Sequence, residues 1–449
     1  MNIIIYIFTQ LMNVWIFLGQ KVMTPLGLEI KPHAVIFLVA TLASFYYIAK
    51  HFNKLWSYTP FRYLFLFFIL STFYAFFYKT DFRSSSYIDL WIHNNLGLRH
   101  SAIQSGLGEV SREFGSGETK YLIYLIGLAP LVAFVTGFMV SINKPKLQNI
   151  INFLSFGMLF YFILLGISIL TGTTTVMSIE GRLSFDGGFT GGDFEGLLLI
   201  MMLGFCMLKQ SVKWPIITNM IILLVLITLG IKKGTIIALL IAGLFVGCLV
   251  LGRKIYRREK LSLDFNPALL VVPLMLVALP LLIAPDSFES LVYNIADRFQ
   301  SNETLNVRMI NWELYSQYWY DNLDFLKALF GFGIDTSRET IFFLSAMHPD
   351  PSMQQPHIHN IFLEMFYNYG LMALLFFLPL FSIFMNNLKA REKNAFNYIA
   401  IAAIVFFVTF FMTESPAFPS IILIFSLLGF LEAVRRSSIE HKEESPVPN

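Results

Sequence analysis

Two histidines stand two residues apart in the run Gln355-Pro-His-Ile-His-Asn-Ile-Phe-Leu-Glu364. A neutral imidazole is the side chain best suited to take a proton from a hydroxyl near pH 7, so His357 and His359 are candidates for a general base. Glu364, or a backbone carbonyl, can orient the imidazole through its other ring nitrogen. Asn360 and Glu364 are four apart, and the spacing predicts that they share one face of a helix opening here. The plainer alternative is a pair of loop histidines satisfied by water. His348 and Asp350 lie nearby, but no HExxH and no second ligand cluster accompany them, so the spacing gives no metal site.

A second set of residues carries positive charge away from the basic side of the chain. Arg182 sits in a glycine-rich stretch. Lys232 and Lys233 interrupt an apolar run that otherwise extends from Pro215 to Gly252. Arg308 begins the run Val307-Arg-Met-Ile-Asn-Trp312. One reading is a plain hairpin tip for the lysines and solvated surface charge for the arginines. The other is that these cations converge on a polyanion such as a diphosphate, which arginine grips through its planar fork. Cations also act best where a leaving group gathers negative charge.

The elements that must position these groups are apolar. The chain is 56% hydrophobic and 14% charged, against about 25% charged in soluble domains. Long uncharged runs recur from end to end, so the expected fold class is an all-α polytopic membrane protein with about 12 transmembrane helices. The spans are placed at Asn2–Gly19, His33–Ala49, Phe61–Tyr78, Tyr121–Ser141, Asn149–Leu170 and Gly196–Leu208. They continue at Trp214–Ile231, Gly234–Leu251, Pro267–Ala284, Ile361–Met385, Tyr398–Met412 and Phe418–Val434. The first run lacks a basic n-region and a clear cleavage site, and reads as a retained span. Cys206 and Cys248 each lie inside an apolar run and form neither a disulfide framework nor a CxxC site.

Orientation follows from lysine and arginine in the short connections. Lys50, Lys54 and Arg62, then Lys144 and Lys146, then Lys209 and Lys213, then the cluster from Arg253 to Lys260, then Lys389, Arg391 and Lys393, and the tail's Arg435, Arg436 and Lys442 fall on one side. That side is expected in the cytoplasm, with both termini. The domain layout is then residues 1–284 with nine spans and outer loops at 79–120 and 171–195, a large outer loop at 285–360, three spans at 361–434, and a disordered cytoplasmic tail at 435–449. The large loop is not structureless. Apolar spacing predicts one helix through Phe288, Leu291, Val292, Ile295 and Phe299. It predicts a second over Leu305–Tyr320, with Leu305, Met309, Trp312 and Trp319 on one face. Such helices lie on the membrane or cap the bundle. Gly331-Phe-Gly333 lacks the strand–turn–helix setting of a dinucleotide site and reads as a tight turn that re-aims the loop towards the bundle. Gly370 is where a missing side chain lets a neighbour approach.

Taken together, Arg308, Trp312, Gly331-Phe-Gly333, then His359, Asn360, Leu363 and Glu364, and finally Tyr369-Gly-Leu371 resemble the O-antigen ligase/polymerase superfamily of bacterial membrane glycosyltransferases. The agreement in spacing and order covers roughly residues 306–380. The resemblance implies a GT-C-like, metal-independent transferase with no cofactor, acting at the outer face of the cytoplasmic (inner) membrane. It implies His359 as the catalytic histidine, Arg308 as the loop arginine and Arg182 as the arginine of the earlier loop. His357 and Asn360 would support them. Where the family often has Ser-Arg, this chain has Lys232-Lys233 before Gly234, which keeps charge and loses the bidentate fork.

The expected function is therefore a polysaccharide (O-antigen, capsule or exopolysaccharide) polymerase that joins undecaprenyl-diphosphate-linked repeat units. The alternative is the ligase that passes finished polymer to lipid A-core. A reading of another class, a transporter or flippase, would call for charge at mid-depth, broken helices and short outer loops. Expected partners are the lipid-linked oligosaccharides, membrane lipid and, by resemblance, a chain-length regulator; no nucleic acid is expected.

Overall fold

The computed structural model describes residues 22–23, 29–30, 32–77, 127–142, 147–170, 176–179, 182–185, 193–206, 213–229, 233–256, 303–333, 337, 340, 358–390, 395–412 and 418–444. The first and ninth expected spans, His357, Lys232 and the expected helix around Phe288 lie outside these residues.

Helices dominate. In chain order they are α1 (Pro32–Trp56), α2 (Thr59–Phe77), α3 (Leu128–Ile142), α4 (Leu147–Leu170), α5 (Asp193–Cys206), α6 (Lys213–Leu229) and α7 (Lys233–Tyr256). After these come α8 (Glu303–Asp321), α9 (Phe325–Phe330), α10 (Ile361–Tyr369), a 3-10 turn (Gly370–Ala373), α11 (Leu374–Lys389), α12 (Ala395–Phe411) and α13 (Phe418–Glu444). Pro32, Pro60, Pro215 and Pro419 sit in the first turns of α1, α2, α6 and α13. There the missing N–H is one the helix could not have used. The helices α7 and Ile361–Lys389 are long and apolar enough to cross a membrane. Thr59–Phe73, Leu128–Met139, Glu195–Cys206, Lys213–Ile227 and Ala395–Phe411 are shorter apolar helices.

The helical class stands, while some finer expectations need correction. Two short hairpins accompany the helices: β1 (Val22–Met23) pairs antiparallel with β2 (Glu29–Ile30), and β3 (Val176–Ile179) with β4 (Arg182–Phe185). Both hairpins are too short to leave an alternating apolar pattern. The tail expected to be disordered from residue 435 is helical through Glu444. A helix already nucleated in the bundle extends into polar sequence more easily than a free segment starts one. Span ten, apolar and long enough to cross a membrane, is broken internally by the 3-10 turn between α10 and α11. Finally, α5 begins at Asp193, so Glu195 lies in its first turn and is buried rather than being loop.

The core is built from phenylalanine. Phe61, Phe67, Phe134, Phe205, Phe406, Phe407, Phe411 and Phe425 are fully buried. α13 packs along α3, α12 lies between α7 and α5, and α11 rests on α2 and α12. Glycines set the tightest crossing. A Cβ on Gly137 would strike the Ser426 carbonyl, and one on Gly429 would strike the Phe134 carbonyl, so α3 and α13 touch backbone to backbone. A few polar groups tie helices together inside this core. Ser44 and Thr136 share a 3.2 Å hydrogen bond, Asn219 Nδ2 donates to the Ser155 carbonyl at 2.7 Å, and Asn397 Nδ2 donates to Asn387 Oδ1 at 2.8 Å. Buried Glu432 is paired with Arg435, whose Nε donates to it at 2.8 Å.

Candidate active site

The site is assembled where α8 meets α10. The buried stripe of α8 is Val307, Asn311, Tyr315 and Tyr318, while Met309 is 55% exposed. This differs from the expected face of Leu305, Met309, Trp312 and Trp319. The expectation followed the aliphatic and indole residues. The structure instead buries tyrosines, whose rings carry the apolar area while their hydroxyls can still find polar neighbours.

Those tyrosines form a stack with the glycine turn. Tyr315 and Tyr367 have ring centroids 4.6 Å apart, and Phe332 stacks on Tyr367 at 4.4 Å. The Tyr367 hydroxyl shares a 2.9 Å hydrogen bond with Thr340. Lys327 Nζ lies 5.1 Å from the Phe332 ring centroid. Burial pushes the Tyr315 hydroxyl well above its ordinary range, with further contributions from Tyr367 and from the Glu364 carboxylate. Tyr315 therefore stays protonated and does not act as a base.

The break at Gly370 creates a hydrogen-bonding problem, because the last carbonyls of a helix have no partner within it. The turn Gly331-Phe-Gly333 supplies partners. The Phe332 N–H donates to the Tyr367 carbonyl at 2.8 Å and the Gly333 N–H to the Asn368 carbonyl at 3.3 Å. The Gly331 N–H closes α9 on the Lys327 carbonyl at 2.7 Å. The approach is close enough to require glycine on both sides. A Cβ on Gly331 would strike the Asn368 backbone, and one on Gly370 would come within 2.5 Å of the Ala328 carbonyl. Both glycines also have positive φ, +78° and +56°. The turn does re-aim the loop onto the bundle, and Gly370 does admit a neighbour.

His359 lies at the other end of α10. Its φ is +53°, the one positive value among the described residues that are not glycine. That conformation costs roughly 1–2 kcal/mol and persists only where the surroundings fix it. On one side Asn360 is fixed as the N-cap of α10, its Oδ1 accepting from the Phe362 and Leu363 N–H groups at 3.0 and 3.1 Å. Such a cap is worth about 1 kcal/mol. On the other side the carbonyl of buried Ile358 accepts the Trp312 Nε1–H at 2.5 Å. Capping turns the Asn360 side chain onto the helix amides, so it does not line a common face with Glu364 as spacing predicted.

Arg308 is one helical turn before Trp312 and faces the same way. His359 precedes α10, Glu364 lies in its first turn and Arg308 lies on α8, each half-buried. The other two described cation positions are on separate elements. Arg182 opens β4, paired with Ile179, and Lys233 is the first residue of α7. Sequence reasoning missed the Tyr315–Tyr367–Phe332 stack and the carbonyl of Ile358. Tyrosines at 315 and 318 were a visible signal, whereas a backbone carbonyl leaves none. Among the described residues no three His, Cys, Asp or Glu side chains group as a metal site.

Apolar helices, two of them long enough to cross a membrane, describe a membrane protein. Residues 218–378 match the family model described as O-Antigen ligase, a segment that contains α8, the glycine turn and α10. That match supports the O-antigen ligase/polymerase superfamily, whose members are glycosyltransferase-like membrane enzymes of O-antigen biosynthesis. It takes in Lys232, Lys233, Arg308, His359 and Glu364, and it leaves Arg182 outside. No curated protein matches the chain.

Proposed function

We propose that this chain is a polysaccharide polymerase of GT-C-like architecture, with about twelve spans and its site at the outer face of a bacterial inner membrane. The observation that supports the mechanism is the left-handed His359 held between the Trp312–Ile358 hydrogen bond and the Asn360 cap. One undecaprenyl-diphosphate-linked repeat unit offers a sugar hydroxyl. His359 takes its proton as the oxygen attacks the anomeric carbon of the chain on a second carrier lipid. The bond from that carbon to the diphosphate oxygen breaks, and the undecaprenyl diphosphate leaves with the electron pair. Arg308, Arg182 and the lysine pair Lys232 and Lys233 hold its charge, and Glu364 orients the imidazole. His357 and Asn360 support the base, Asn360 as the cap of its helix.

The ligase reading is kept because the matched family is described by that activity. The two differ in acceptor, a second lipid-linked unit or lipid A-core. Transport is the weaker reading. It draws on the break at Gly370, yet that break is filled by the backbone of residues 331–333 rather than opened as a cavity. The test is elongation by purified protein given its host's lipid-linked repeat units. A ladder with the native chain and none with His359→Ala is the expected result. A full ladder from His359→Ala would remove the mechanism.

A further inference from the structure

Trp312 reaches across from α8 to the peptide that precedes His359. Its Nε1–H donates to the Ile358 carbonyl at 2.5 Å, from a helix 46 residues earlier in the chain. The peptide on the far side of His359 is fixed locally, by the Asn360 cap on α10. His359 lies between these two anchors with φ +53°. A histidine in the left-handed region relaxes towards ordinary backbone unless both flanking peptides are held. Relaxation there swings the Cα–Cβ bond, and with it the imidazole. Of the two anchors, the Asn360 cap comes with α10 itself, whereas the Trp312 bond exists only when α8 is docked.

We infer that Trp312 is a positioning residue for the general base: its indole N–H holds the Ile358 carbonyl so that the His359 imidazole points at the acceptor hydroxyl. The inference rests on the reading of His359 as the base. It adds that docking of the loop helix through one hydrogen bond makes the base competent. The indole does not touch substrate in this account. Its loss misplaces His359 without removing a binding contact, and the effect falls on turnover.

The test replaces Trp312 with 3-benzothienylalanine, which keeps the ring shape and exchanges N–H for sulfur. Trp312→Phe is made beside it, and both are assayed as purified full-length protein with the host's lipid-linked repeat units. The expected result for the sulfur isostere is a fall in kcat of about ten-fold, with KM for the repeat unit within about two-fold of the native value and an unchanged melting temperature. Trp312→Phe is expected to lose at least as much. An isostere with native kcat overturns the inference, as does a rise in KM at constant kcat or a loss of activity that tracks a loss of melting temperature. If His359→Asn is inactive while the isostere is fully active, this inference alone fails. If His359→Asn is fully active, the reading of His359 as base fails and takes the inference with it.

Discussion

His359 stands just before α10 and is the base in the proposed transfer. The His-Asn pair before an apolar run marked it from sequence, and the structure adds that its backbone is left-handed. Asparagine tolerates that region well, so His359→Asn should keep the backbone and delete the base. We expect its melting temperature to stay close to the native value while turnover falls by a factor on the order of 10² or more. Differential scanning fluorimetry beside a gel-based elongation assay would check both halves. Arg308 offers a graded companion test. Arg308→Lys keeps charge and loses the fork, so it should lower kcat by about ten-fold, and Arg308→Ala by more. Equal rates for native and lysine proteins would show that the fork is not used. Asn360 is the counter-example. Its spacing from Glu364 suggested a shared face, but cap geometry turns its side chain to the Phe362 and Leu363 amides. Spacing reports a face only once the helix has begun.

At the scale of elements, the helices were readable from long apolar runs and the break within one of them was not. Ile361–Met385 reads as a continuous span because Tyr369-Gly-Leu lacks proline and charge. What breaks it is tertiary: the turn at residues 331–333 supplies N–H partners to the carbonyls of Tyr367 and Asn368. Gly331 and Gly370 are the two positions that let this happen. Gly370→Ala adds a Cβ against the Ala328 carbonyl at a positive φ, so it should destabilise the junction by about 2 kcal/mol or more. The expected readout is faster proteolysis within residues 303–333 under native conditions. Native resistance to protease would mean the backbone contact is not holding the loop helix down. The stripe on α8 fell to a related blind spot. Tyr315 and Tyr318 score as half-polar in any pattern, yet they bury against Tyr367 and Phe332.

Across the whole molecule, the charge bias of the loops sets a direction that can be measured. With the basic connections inside, Glu313 on α8 belongs outside and Lys389 at the end of α11 belongs in the cytoplasm. In a background with Cys206 and Cys248 replaced, Glu313→Cys should react with a membrane-impermeant maleimide on intact spheroplasts. Lys389→Cys should react only after lysis. The reverse pattern would turn the site inwards and end the proposal that it meets exported lipid-linked sugar. The class of the molecule was legible because a chain with 56% hydrophobic and 14% charged residues has few other ways to fold. The sugar acceptor was not, because no periodic pattern encodes a choice of acceptor.

In the proposed mechanism His359 activates a sugar hydroxyl for transfer from a lipid diphosphate without a metal. The direct measurement is elongation by the purified chain on its host's undecaprenyl-diphosphate-linked repeat units, with and without EDTA, beside His359→Ala. The account predicts a ladder that survives EDTA and is absent from the variant. A ladder made equally by His359→Ala, or one abolished by EDTA and restored by a divalent metal, would contradict it.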